Sequence, residues 1–197
     1  MMTATGFLRM LLWPLACCLA MLALVANIVA ADAQVPPAGG PVAESDRQFL
    51  LQAAASGLYE LEVARLAELR AINPMVKAYA AMLALHQTAL NDDVKNLAAT
   101  RGLVLPDGPD RERRDVIEAL AALPPGVFDN RFVQQVGITD HQAEIVVFER
   151  ASRGLSDAEL RAWAVKALQA RQQHLAAAQH LPQLVQTMVA AAAALPA

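Results

Sequence analysis

Three histidines and three carboxylates of this chain, His86, His141 and His174 with Glu60, Asp140 and Glu144, fall on four segments at spacings that would let them meet inside a helical fold. Imidazole nitrogen and carboxylate oxygen together suit a first-row transition metal. The candidate ligands are Glu60, His86, His141, Glu144 and His174, and the residue types leave the metal's identity open. A second chemistry fits the same groups. Arg171, three positions before His174, would let a buried network form in which a guanidinium and protonated histidines neutralise the carboxylates, because charges removed from water must be paired. A di-iron centre of the bundle type needs Glu-x-x-His on two helices. The residues three before His86 and His174 are Leu83 and Arg171, so that motif is absent. No serine or histidine sits in a recognisable nucleophile context. No catalytic residue is therefore assigned, and an oxidoreductase ranks behind a binding protein and a structural or interaction module.

These residues need helices to hold them. Ser45 with Gln48 forms a capping-box pattern at the head of a helix predicted to run to about Ile72, where Asn73-Pro74 ends it and starts the next, with Asn as N-cap and Pro at the first helical position. The second helix is predicted to run to about Arg101 and stop at Gly102. Residues 103–126 carry loop signals (Pro106, Gly108, Pro109, Pro124, Pro125) around a short helix near Val116 to Leu123. A third long helix is expected from about Phe128 to Arg153, ending at Gly154. Ser156 and Glu159 make a second capping box, opening a fourth that ends at His180 before Pro182. Strand-like alternation is absent. The expected fold is all-α: an up-down-up-down four-helix bundle, with a short extra helix in the long second-to-third connection.

In that arrangement the Asn73 and Gly154 turns share one end. Glu60, His86 and His141 then lie thirteen residues from their turns and form one layer, with His174 about six residues deeper, roughly 9 Å. Helical phase at about 100° per residue places Asp140, His141 and Glu144 inside the apolar arc of the third helix and His174 with Arg171 inside that of the fourth. Glu60 sits among Ala53, Gly57, Ala64 and Ala67, and His86 lies at the rim of its helix's arc.

The compartment is read from the N-terminus. Arg9 precedes a charge-free stretch from Met10 to Ala31, and Ala31-Asp32-Ala33 follows the small-x-small pattern of signal-peptide cleavage. Residues 1–33 are read as an export signal, with an uncleaved N-terminal membrane anchor as the rival, since an apolar run of that length can span a bilayer. Either reading places the domain in the periplasm or outer envelope, with membrane contact only through this segment. Residues 34–44 read as a Pro/Gly-rich tether, residues 45–181 as the helical domain and residues 182–197 as an Ala-rich tail. Both cysteines, Cys17 and Cys18, lie in the export segment, so the remainder has neither disulfides nor thiolate metal sites. With 16 basic and 19 acidic residues, a net charge of −3 and no basic cluster, the chain lacks the electrostatic footprint of a nucleic-acid binder. The partners expected are a metal ion or another envelope protein.

One pattern of residues runs through the whole domain: Phe49, Gly57-x-x-Glu60 with Leu66-Ala67, Asn73-Pro74-x-Val76-Lys77-x-Tyr79-Ala80 leading to His86, Gly102 to Pro106, Phe128-Asp129-x-x-Phe132, Asp140-His141, Phe148-Glu149 and His174-Leu175. It resembles the secreted bacterial family known as domain of unknown function 4142. The resemblance covers about Ser45 to Leu181 and implies a ferritin-like four-helix domain of the periplasm or outer envelope, without an established activity. Members commonly carry an acidic residue just before the second-helix histidine, where this chain has Leu85.

Overall fold

The structure, a computed structural model, describes residues 42–193, with side-chain detail to residue 181. The export segment, most of the tether and the last four residues of the tail lie outside the described residues. All regular structure within them is helical. Helix α1 spans Glu44–Arg70 and α2 spans Pro74–Ala99. A short α3, Arg111–Ala121, sits in the long connection. A continuous helical rod then follows, built of α4 (Pro125–Phe132), a π-helical segment (Val133–Asp140) and α5 (His141–Gly154). Helix α6 runs from Ala158 to Ala193.

Local chemistry explains several of these bounds. The Asn73 side chain accepts a hydrogen bond from the Met75 amide, with Pro74 at the first helical position, as expected from the Asn-Pro pair. Gly102 takes φ +64°, the left-handed conformation that closes α2 and that glycine adopts without a Cβ penalty. Neither expected capping box forms. Helix α1 starts after Ala43 without a side-chain cap, and the Ser45 hydroxyl turns to Asp46. At the head of α6 the cap is Asp157 in place of Ser156, and its carboxylate accepts from the amides of Glu159 and Leu160. Helix α3 begins earlier than expected because Asp110 caps it through the Arg113 amide. Helix α6 does not stop at His180. It continues through Pro182, which has no amide N–H to donate, as far as Ala193.

The topology differs from the expected up-down-up-down order. At one end, Arg70 donates to the carbonyls of Ala121 and Leu123, both at 2.5 Å, and Asp129 accepts from the amides of Ile72 and Asn73 at 3.2 and 2.7 Å. The start of α4 therefore sits at the α1–α2 turn. At the other end, Asp46 accepts from the amides of Ser156 and Asp157, and Arg101 pairs with Asp157 at 2.7 Å. The α5–α6 turn therefore lies with the first turn of α1 and the last of α2. The order is up-down-down-up: the connection carrying α3 packs back along α1 and returns the chain to its earlier end before the third rod begins. A connection of this length is free to cross the domain, and sequence periodicity carries no signal for which end it returns to.

Apolar side chains form two clusters. One gathers Tyr59, Val63, Ala67, Val76, Tyr79, Leu83, Phe128, Phe132 and Val136 near the α1–α2 turn. The other gathers Phe49, Leu50, Leu90, Val94, Phe148, Leu160, Trp163 and Ala167 near the α5–α6 turn. Between their positions along the helices lie the buried polar residues Ser56, Glu60, Gln87, Asn91, His141, Arg171 and His174.

Candidate metal centre

Four side chains from three helices meet in that layer: Glu60 of α1, His141 of α5, and Arg171 and His174 of α6. Glu60 is 3 % exposed and the other three 1 %. Their common height follows from the observed topology. Glu60 and His174 each lie sixteen residues beyond the first residue of helices that rise from the same end. His141 lies thirteen residues before the end of a helix that descends to it. Helical side chains lean toward their own N-terminus, so Glu60 and His174 lean down while His141 leans up, and the small remaining offset closes. The expected 9 Å displacement of His174 is thereby corrected. It is independent of the topology error, since His141 and His174 share the α5–α6 turn in either order, and it shrinks because α6 begins only at Ala158, so the turn residues after Gly154 add no helical rise. The layer itself survives the topology error because it sits near mid-helix, where counting from either end gives a similar height.

Glu60 Oε1 lies 3.3 Å from His141 Nε2 and 3.4 Å from His174 Nδ1, and the two ring nitrogens are 3.2 Å apart. These atoms make the one group of three or more metal-competent side chains among the described residues. The tautomer of His141 follows from its other contact. Its Nδ1 is 2.7 Å from the Val136 carbonyl, which only accepts, so in the neutral ring Nδ1 carries the proton and Nε2 presents a lone pair to the group. Val136 belongs to the π-helical segment that runs directly into His141. Such segments break the regular helical ladder and recur at functional sites. Gly137 within it lets α6 close in, since a Cβ there would stand 2.8 Å from that of Ala178.

Charge is balanced unevenly. Neither oxygen of Glu60 meets an aligned hydrogen-bond donor. Burial pushes its carboxyl pKa up, yet the positive charges of His141 and Arg171 more than offset this and hold it well below the usual range. Burial likewise pulls His141 down, and Glu60 outweighs it, leaving His141 raised. His174 goes the other way, lowered by burial and by its two histidine neighbours despite Glu60. Arg171 lies with its guanidinium carbon 3.8 Å over the Phe148 ring, its Nε 2.8 Å from Glu144 and a terminal nitrogen 4.0 Å from Glu60.

The remaining expected residues sit around this group. Glu144 pairs with Arg171, accepts from the Ser56 hydroxyl, and lines two surface clefts of about 150 and 250 Å³ between α1, α3 and α5. His86 lies across His174 from the group, its Nδ1 2.9 Å from His174 Nε2, with the rings stacked. Asp140 is drawn aside: it accepts from Tyr59 at 2.7 Å and from Gln135 at 2.8 Å.

Several polar partners were not anticipated from sequence. Asn91 donates to the Gly57 carbonyl and accepts from Gln87, an i,i+4 pair readable from spacing alone. Their amides fill the space where a Cβ on residue 57 would go, which is why glycine stands there. The hydroxyl of Tyr79 donates to the His174 carbonyl at 3.2 Å. The π-helical segment and its carbonyl partner for His141 had no sequence signal.

Comparison with known proteins agrees with the fold. The crystal structure of a DUF305 fragment from Deinococcus radiodurans superposes with a TM-score of 0.60 at 16 % identity, covering 72 % of this chain and 97 % of that one. Curated proteins give no match. The profile of the domain of unknown function DUF4142 matches residues 31–181, three quarters of the chain and the entire site-bearing region, and the protein therefore belongs to the DUF4142 family.

Proposed function

We propose that this protein is an exported envelope protein whose helices form a ferritin-like bundle and hold one divalent first-row transition metal on Glu60, His141 and His174. The carrying observation is the donor triangle with edges of 3.2, 3.3 and 3.4 Å. A tetrahedral site with bonds of about 2.0–2.1 Å has donor–donor edges of about 3.3–3.4 Å, so the side chains already stand near one face of such a site. Two imidazoles and one carboxylate on one face leave further positions for water or a small ligand. The single long crossover is the connection pattern of ferritin-like folds. Glu144 and His86 stand next to this triad: Glu144 in the lining of the clefts, His86 behind His174. The reading carries with it an export signal over residues 1–33, a tether over 34–44, the domain over 45–181 and an Ala-rich tail, with a role in handling metal or stress in the envelope.

A second reading is supported by Arg171, which already serves Glu144 and approaches Glu60. In it the layer is a charge network of a structural or protein-interaction module. Metal analysis of protein purified from the periplasm without chelator, with thermal melts before and after chelation, separates the two. One equivalent of metal and a melt lowered by chelator are expected. A metal-free protein whose melt is unmoved leaves the network.

A further inference from the structure

His86 touches the donor triangle only through His174, and the hydrogen-bond chain specifies what it does there. The Val136 carbonyl fixes the proton of neutral His141 on Nδ1, so its bare Nε2 faces His174 Nδ1. Two proton arrangements then satisfy His174 and His86. In one, His174 Nδ1 carries the proton, aimed at His141 or Glu60, and His174 Nε2 accepts from His86 Nδ1–H. In the other, His174 Nδ1 is bare, its Nε2–H donates to His86 Nδ1, and His86 keeps its proton on Nε2. Only the second presents three lone-pair donors to a cation, because a metal binds imidazole at its unprotonated nitrogen.

We propose that His86 is a positioning residue for the metal centre: by accepting the His174 Nε2–H bond it selects the tautomer in which His174 Nδ1 binds the ion, and metal binding moves the proton of His86 from Nδ1 to Nε2. This rests on the metal reading above. The geometry supports it in three ways. The Nδ1–Nε2 distance of 2.9 Å is that of a formed hydrogen bond, and the rings are held 20° from parallel with centroids 5.2 Å apart. The neighbouring Gln87 makes no hydrogen bond to His174: its amide nitrogen donates to Asn91 and its Oε1 meets no donor. The Tyr79 hydroxyl bonded to the His174 carbonyl anchors the backbone, so ring orientation is left to the imidazole contacts. Acceptors behind metal-bound histidines fix ring orientation and raise ligand basicity, and losing one costs about 10–100-fold in affinity.

The test uses the full chain, zinc as the probe, and the variants His86→Phe, which keeps a flat ring without an acceptor, and His86→Gln, which restores one. Zinc titration calorimetry is expected to show His86→Phe weakened by about 10–100-fold and His86→Gln closer to wild type. Long-range nitrogen–proton NMR of zinc-loaded wild type is expected to show protons on Nε2 of both His174 and His86. Equal affinity of wild type and His86→Phe, or a proton remaining on His86 Nδ1 with zinc bound, overturns the proposal while leaving the metal reading intact. Wild type that takes up no stoichiometric zinc overturns both. Because the NMR arm needs no variant, it decides the matter even if His86→Phe fails to fold.

Discussion

At the scale of single residues, the difference between ligand and counter-ion sets the outcome of substitution. In the metal reading, neutral His141 offers a bare Nε2 because a backbone carbonyl holds its proton on Nδ1, so His141→Ala is expected to abolish stoichiometric metal binding, measured by calorimetry, while the protein remains folded. Arg171 has a different task. It is buried against Phe148 and sits between Glu144 and Glu60, so Arg171→Ala leaves a carboxylate uncompensated and is expected to cost about 3–5 kcal/mol in denaturant unfolding. A loss below 1 kcal/mol would mean that water reaches Glu144 through the clefts and takes over its solvation. The types of these residues, and the helical phase that turns His141, His174 and Arg171 inward, were legible in the sequence. The setting aside of Asp140 was not, since it depends on Tyr59 arriving from α1.

At the scale of elements, helix ends join the structure together. Asp157 caps α6 and also binds Arg101 at the end of α2. Burial alone would raise its carboxyl pKa, but the Leu160 amide and the Arg101 guanidinium hold it below the ordinary 3.8. A depressed folded value means that the contribution is fully present above the unfolded pKa and fades as pH falls through the folded one. Asp157→Ala is expected to lower stability at neutral pH by about 0.5–2 kcal/mol. Asp157→Asn keeps a capping oxygen and is expected to lose less while removing this acid-side dependence, as read from melts between pH 5 and pH 3. Gly57→Ala forces a methyl into the Asn91 and Gln87 amides and is expected to cost about 1–3 kcal/mol. Capping residues were legible only to within a position or two: Ser156 and Asp157 are both competent caps, and the choice falls on Asp157 because Arg101 pairs with it there.

At the scale of the whole molecule, the candidate metal centre draws on three helices, α1, α5 and α6, so in the metal reading occupancy is expected to appear as global stability. A ligand at 100 times its dissociation constant adds about 2.7 kcal/mol, and chelation should remove that increment in one cooperative transition. Export is the other molecular property open to test. The charge-free Met10 to Ala31 run followed by Ala31-Asp32-Ala33 predicts mature protein beginning at or near Gln34 and free in the periplasm. Intact-mass measurement of periplasmic protein checks this, and recovery of the full-length chain only in the inner membrane would identify an anchor instead.

The amino-acid sequence by itself determined the helical class, the Asn73-Pro74 and Gly102 breaks, the absence of cysteine from the domain and the inward set of histidine, carboxylate and arginine. All of these follow from short-range chemistry: capping, glycine and proline stereochemistry, and a 3.6-residue period. Only the tertiary structure decided the up-down-down-up order, the π-helical turn that orients His141, and the division of labour in which Glu60, His141 and His174 converge while Glu144 turns to Arg171 and His86 stands behind His174. Periodicity reports which face of a helix is buried but not which neighbour covers it. The path of the long connection through α3 settles that question, and with it which donors share a point in space.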